Sequence, residues 1–168
     1  MALEIERRFL VRPGFSEKHL PMSLVTKELS VWQAYLKKIS KGSGSRRIRM
    51  VFDRRKNIVK YFYTEKQSTD DPAVRIENER EISKEECDAL KSEMDPNRDA
   101  INKSRYCFRY KNQDFELDFF SAPMRADGLV ILEIEMDRSD SRVELPDFIP
   151  IVAEITGCLS NSDIAKRL

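Results

Sequence analysis

Apolar and polar residues alternate along most of this chain, and such alternation is typical of β-strands whose two faces meet different surroundings. The first alternating stretch covers residues 3–11. In an extended strand it places Glu4, Glu6 and Arg8 on one face and mainly apolar residues on the other. Two carboxylates and a guanidinium group therefore lie in a row at the start of the chain.

The same alternation predicts seven further strands, separated by polar or glycine-containing turns. One helix is predicted between them, because residues 83–86 form a capping-box sequence and an apolar stripe follows as far as Asp95 and Pro96. Residues 15–24 predict a loop with a short helical piece. The further strands are predicted at residues 26–39, 46–52, 58–66, 74–82, 102–110, 114–120 and 129–137.

Charged residues on these strands are sorted by sign. Acidic pairs two residues apart recur on four strands and basic pairs on two, at positions 4/6, 77/79, 116/118 and 133/135 for the acids and 47/49 and 103/105 for the bases. An open antiparallel sheet with its charged face in water is one interpretation. The sorting favours another, a β-dominated α+β fold in which a closed antiparallel barrel of about eight strands encloses the charges and short helices cover the outside.

Composition narrows the class of protein. The 168 residues fit one domain spanning 1–168, with 40% apolar and 35% charged residues. A net charge of +1 argues against nucleic acid as a partner, and no apolar run is long enough to cross a membrane. We expect a cytoplasmic protein. Its cysteines, Cys87, Cys107 and Cys158, are odd in number and widely spaced, which predicts reduced thiols rather than disulfides or a zinc site.

A charged barrel interior restricts the ligand. Burying unpaired charges costs several kcal/mol each, so such an interior must be hydrated, internally paired or neutralised by a bound molecule. Arginine and lysine rows suit phosphate oxygens, while carboxylate pairs without histidine or thiol partners suit Mg²⁺ or Mn²⁺ rather than Zn²⁺. Both signs together predict a metal-bound polyphosphate.

The motifs on these strands resemble those of the CYTH domains, or triphosphate tunnel metalloenzymes. The resemblance spans nearly the whole chain in the family's order, and the opening Glu4-Ile5-Glu6-Arg7-Arg8 is similar to its ExExK strand. The other matching segments are Gln33-Ala34-Tyr35-Leu36, Arg47-Ile48-Arg49, Thr64-Glu65-Lys66, Glu77-Asn78-Glu79, Lys103-Ser104-Arg105-Tyr106, Glu116-Leu117-Asp118, Glu133-Ile134-Glu135, Glu154-Ile155-Thr156-Gly157 and Asn161 with Ile164-Ala165.

The resemblance implies an eight-stranded tunnel that binds a triphosphate and hydrolyses it with Mg²⁺ or Mn²⁺. It implies catalytic roles for Glu4, Glu6 and Arg8. The metal ligands would be Glu4, Glu6, Glu133 and Glu135, and the remaining acidic tunnel residues are Glu77, Glu79, Glu116 and Asp118. Substrate phosphates would be held by Arg8, Arg47, Arg49, Lys66, Lys103 and Arg105.

Several functions remain open within this resemblance. The opening segment is most similar to bacterial inorganic triphosphatases, while a class IV adenylate cyclase, a thiamine triphosphatase and a non-catalytic polyphosphate- or nucleotide-binding module are alternatives. Arg8 stands where the family has lysine, and arginine is effectively never deprotonated. The segment between Gly157 and Asn161 is shorter than usual, which leaves its part in closing the tunnel open. The expected partner is a small-molecule triphosphate, and a homodimer is compatible with the sequence.

Overall fold

The protein is built on one antiparallel sheet, seen in a computed structural model that describes residues 2–167. The strands are β1 (Ala2–Val11), β2 (Val25–Leu36), β3 (Ser45–Asp53), β4 (Ile58–Ser68), β5 (Val74–Ile82), β6 (Ile101–Tyr110), β7 (Gln113–Ala122), β8 (Val130–Glu135) and β9 (Ile151–Glu154). The α-helices are α1 (Lys84–Leu90) and α2 (Asn161–Ala165), and single 3-10 turns cover Glu17–His19, Met22–Leu24, Lys91–Glu93 and Met124–Ala126.

The sheet closes into a barrel. Its strand order is β5-β4-β3-β2-β6-β7-β8-β1-β9, and β1 also pairs with β5. The first half of β1 pairs with β5, with Glu4 opposite Arg75, and its second half pairs with β9. Strands β1–β8 therefore form a closed antiparallel barrel, as the sorted charges predicted, and the open-sheet interpretation is wrong.

Most of the hydrophobic core lies outside the barrel wall. Phe9, Leu117 and Leu132 point away from the charged face and pack under loop residues such as Leu20 and Ile149. On another side, the outward side chains of β2 and β3 pack against Cys87 of α1. Because the interior is charged, the fold depends on these outer layers to bury its apolar side chains.

One end of the barrel is closed by an apolar plug. We use this name for Tyr35, Ile101, Phe120 and Ile131 together with Ile164 and Ala165 of α2. On their strands the first four alternate in step with the charged interior residues. They therefore lie on the inner face, where the barrel ends. The C-terminal segment, whose part in closing the tunnel the sequence left open, thus packs against that end.

The predicted elements agree with the observed ones except at the C-terminus. All eight predicted strands are present with small shifts at their ends. The predicted helix after Ser83 ends at Leu90 and continues as a 3-10 turn to Glu93. Strand β9 and helix α2 were not predicted. No helix within residues 2–167 is long and apolar enough to span a membrane.

The external core predicts unequal costs for two isoleucines on neighbouring strands. Ile48 is 0% exposed beneath α1, whereas Ile58 is 48% exposed. Ile48→Ala is expected to lower the free energy of unfolding by about 2–5 kcal/mol, because it leaves a cavity in a packed cluster. Ile58→Ala should cost less than about 1 kcal/mol. Urea unfolding of both variants checks this, and equal costs would contradict an external core.

Candidate active site

The barrel encloses a polar cavity of about 840 Å³. All but one of the charged residues predicted for the tunnel line it, and Asp118 is the exception because it is fully buried behind the lining. The residues that line it are Glu4, Glu6, Arg8, Arg47, Arg49, Lys66, Glu77, Glu79, Lys103, Arg105, Glu116, Glu133 and Glu135. Seven different strands thus bring to one space the side chains that the period-two pattern placed on one face.

Asp118 organises the cations on β6. It accepts a hydrogen bond from Lys103 Nζ at 2.5 Å, and Arg105 binds it in bidentate geometry through Nε and Nη2, both at 2.7 Å. Burial alone would raise the pKa of Asp118, but the charges of Arg105 and Lys103 hold that pKa well below its usual range. Burial, reinforced by the charge of Arg105, lowers the pKa of Lys103 to about 8.

Glu133 connects this cluster to β1. Its carboxylate lies 2.9 Å from Arg105 Nη2 and 3.3 Å from Arg8 Nη2. Burial opposes ionisation of Glu133, but Arg8 and Arg105 outweigh it and the pKa is lowered. Arg105 also forms an ion pair with Glu116. Arg8 and Arg105 are therefore joined by one carboxylate in the free protein.

A second group of pairs joins β1, β3, β4 and β5. Lys66 Nζ contacts Glu4 at 2.5 Å and Glu77 at 2.8 Å, and Arg49 contacts Glu79 at 2.6 Å. Burial raises the pKa of Glu4 to about 7 in spite of the neighbouring Lys66. Burial and the charge of Arg47 lower the pKa of Arg49 to about 10. These ion pairs neutralise much of the cavity wall.

Arg47 differs from the other cations. It is 8% exposed and lines the cavity, and its Nε is buried without a hydrogen-bond partner. It is the one cavity-lining arginine predicted from the tunnel motifs that makes no ion pair with any of residues 2–167. An arginine that is buried and unpaired marks a position where an anion would be strongly favoured.

The acidic side of the cavity has the donor chemistry for a hard divalent cation. Glu6 lies directly opposite Glu135 across β1 and β8, and Glu116 lies opposite Glu133 across β7 and β8. Like charges directly opposite one another are destabilising, and burial raises the pKa values of Glu116 and Glu135. Within residues 2–167 no three acidic, histidine or cysteine side chains already converge on one point. The all-oxygen donor set fits Mg²⁺ or Mn²⁺, which would relieve this repulsion.

Several cavity residues were not predicted as site residues. Asn161, Ser160 and Ser162 come from the start of α2, and Arg98 lies on the loop before β6. Asn161 Oδ1 accepts a hydrogen bond from Arg8 Nη2 at 3.0 Å. The closing motif of the resemblance contains Asn161, so a signal for this residue existed, but no strand periodicity marks a five-residue helix as part of the site.

No family model matches the chain, and no curated protein sequence is similar to it. Solved structures are similar. The inorganic triphosphatase NE1496 is 23% identical with a TM-score of 0.59, and the alignment covers 100% of this chain and 97% of that one. The putative adenylyl cyclase HpAC1 from Hippeastrum, whose structure is described as revealing a dominant triphosphatase activity, is 15% identical with a TM-score of 0.57 and 80% coverage of both chains.

A putative adenylate cyclase from Bacillus halodurans is 19% identical with a TM-score of 0.53, covering 83% of this chain and 84% of that one. At these identities the likeness concerns the fold. The barrel topology, the inward charges and the order of the motifs agree with the same architecture. The chain therefore has the CYTH-type tunnel fold.

Proposed function

We propose that this chain is a divalent-metal-dependent triphosphatase, a phosphoanhydride hydrolase whose substrate is inorganic triphosphate bound in the barrel cavity. The observation that carries the proposal is Arg47, a buried cavity cation without an ion-pair partner among residues 2–167. Burial opposes its charge, but Tyr35 and the carboxylates of Glu77, Glu4 and Glu79 outweigh burial and raise its pKa without a direct ion pair. A bound polyanion would supply the direct contact that the guanidinium lacks. A small-molecule triphosphate in the cytoplasm is the partner that this proposal requires.

The remaining cations complete a phosphate-binding wall. Arg8, Arg49, Lys66, Lys103 and Arg105 line the same cavity as Arg47. In the free protein each of these five contacts a carboxylate at 2.5–3.3 Å. A triphosphate chain offers several anionic oxygens at once and can exchange with those carboxylates without leaving the cations unpaired. Guanidinium groups also bind phosphate oxygens in bidentate geometry.

The carboxylates of β1 and β8 are the proposed metal-binding residues. Glu4, Glu6 and Glu135 line the cavity, and neither Glu6 nor Glu135 makes an ion pair with any residue in the described range 2–167. Glu133 belongs to the same proposed set but contacts Arg8 and Arg105 in the free protein. When bound, a divalent metal would supply Lewis-acid stabilisation of phosphoryl oxygens and lower the pKa of an attacking water.

The cavity lining favours an inorganic substrate over a nucleotide or thiamine triphosphate. Among residues 2–167, Tyr35 is the only aromatic side chain that lines it. Tyr35 is 6% exposed, and the guanidinium of Arg98 lies 5.3 Å from its ring centroid. An adenine or thiazole ring would therefore lack an open stacking surface. The names of the similar structures, a triphosphatase and a cyclase with dominant triphosphatase activity, support the same choice.

The proposal predicts metal-dependent release of phosphate. Purified protein is tested with inorganic triphosphate, ATP and thiamine triphosphate, each with Mg²⁺, Mn²⁺ or EDTA, and the ATP samples are also assayed for cyclic AMP. We expect turnover of inorganic triphosphate that EDTA abolishes, with ATP and thiamine triphosphate slower by at least about tenfold. Cyclic AMP formation would instead establish a cyclase. Tight triphosphate binding without turnover would establish a binding module.

A matched pair of variants locates the metal site in the same assay. Glu6→Gln removes a proposed metal ligand of nearly the same size, and should abolish turnover or shift it to much higher metal concentration. Glu81→Gln makes the same change on β5 at a side chain that is 55% exposed and pairs with Lys60. That variant should keep normal turnover. Equal activity of the two variants would remove Glu6 from the metal site.

Arg47→Met should separate binding from stability. Replacing the unpaired cation by an apolar side chain of similar length is expected to weaken triphosphate binding at least about tenfold, because charged hydrogen bonds are lost. The same change should alter the free energy of unfolding by no more than about 1 kcal/mol, because the desolvation cost that it removes is opposed by the attraction of Glu77, Glu4 and Glu79 that it also removes. Calorimetric titration and urea unfolding measure the two effects. The control, Arg138→Met at an exposed arginine paired with Asp140, should alter neither.

Triphosphate affinity should fall as the pH rises above 8. The pKa of Lys103 is lowered to about 8, so above that pH Lys103 is mostly neutral in the free protein. It must then take up a proton before it can pair with a phosphate oxygen, and this weakens binding. The dissociation constant is expected to rise by up to about tenfold per pH unit through this group. Lys103→Arg keeps its charge, and should show a smaller rise between pH 8 and 9.5. The two proteins are compared at equal pH, because triphosphate itself titrates. The same pH dependence of the dissociation constant in both proteins would exclude Lys103 from binding.

A further inference from the structure

Arg8 is held by two different groups in the cavity. Its Nη2 donates a hydrogen bond to Asn161 Oδ1 at 3.0 Å and lies 3.3 Å from a carboxylate oxygen of Glu133. Its side chain is buried, and its Nε has no hydrogen-bond partner. The guanidinium is thus fixed at one nitrogen, while a second donor remains unused.

The helix that carries Asn161 is itself held firmly. Arg98 Nη1 donates to the backbone oxygen of Ser162 at 2.6 Å, and Arg125 Nη2 donates to that of Ile164 at 2.8 Å. The side chain of Ile164 is buried in the apolar plug. Asn161 is therefore presented to the cavity from a fixed support rather than from a free chain end.

The backbone of Arg8 is bound to the same C-terminal segment. Its N–H donates to Thr156 Oγ1 at 3.0 Å, and its carbonyl oxygen accepts from Ile155 N–H at 2.8 Å. Gly157, directly after Thr156, has φ +75° and lies against Pro72. A Cβ added to Gly157 would be 2.6 Å from the proline side chain. The segment thus holds both the backbone and the side chain of Arg8.

We propose that Asn161 is a positioning residue that keeps Arg8 available to the phosphate chain. The inference rests on the proposed function, because it assigns a partner to Arg8 within that binding site. The amide oxygen of Asn161 is a neutral acceptor, so it orients the guanidinium without cancelling its charge. Without this acceptor, Arg8 would be free to close onto Glu133 in a bidentate ion pair, the geometry that guanidinium and carboxylate groups favour. A phosphate would then have to break that pair.

The test is a double-mutant cycle read by calorimetric titration of inorganic triphosphate, with and without Mg²⁺. Asn161→Ala should weaken binding by about tenfold in the wild-type background, as expected for a lost hydrogen bond to a charged group. In an Arg8→Ala background the same change should weaken binding by less than about twofold, because its effect passes through Arg8. Asn161→Ser, which is also too short to reach Arg8, gives a second measurement if the alanine variant does not fold.

The control is Asn97→Ala, an exposed asparagine outside the cavity lining, which should leave the affinity unchanged. Unchanged affinity of the Asn161 variants, or the same loss in both backgrounds, would overturn the positioning role while triphosphate binding by wild-type protein still supports the proposed function. Wild-type protein that binds no triphosphate under either condition would overturn the proposed function, and this inference with it.

Discussion

The ion pairs of Asp118 with Lys103 and Arg105 are the interaction on which the charged interior depends. They lie where desolvation is nearly complete, so removing Asp118 would leave Lys103 buried without an ion-pair partner among residues 2–167, at a cost of about 3–5 kcal/mol, while Arg105 would keep Glu116 and Glu133. Through Arg105 the cluster reaches Glu133, and through Glu133 it reaches Arg8 on β1. One connected set of charges therefore ties the first strand to β6, β7 and β8. Arg47 lies outside this set, as do Lys66 and Arg49, but unlike them it makes no ion pair with a carboxylate among residues 2–167.

A charged interior determines where the apolar residues must go. A barrel that filled its centre with valine and leucine would need few apolar layers outside its wall. This one directs Phe9, Leu117 and Leu132 outward, and loops and α1 cover its outer apolar surface. The apolar plug is the exception, because there the inner face becomes hydrophobic and α2 packs against it. The cavity is thus bounded by charged side chains along its wall and by the apolar plug at one end. Helix α2 supplies both part of that plug and Asn161.

Much of the fold and most of the site were predictable, because a period of two assigns every residue of a long strand to a face. That rule placed Glu4 and Glu133 in one cavity although 129 positions separate them in the sequence. It could not predict which cation pairs with which carboxylate, since register and side-chain rotamers decide that. It also failed for β9 and α2, which are too short to show a period, and so it missed the contact between Arg8 and Asn161.

Arg8 shows how a departure from a motif can be accommodated by the surrounding charges. A lysine at this position would present a single ammonium group, and binding Glu133 would occupy most of its charge. An arginine has five donors in a planar fork, so one nitrogen can contact both Glu133 and Asn161 while Nε stays unused. Since arginine does not release its proton, its contribution in the cavity is electrostatic and geometric.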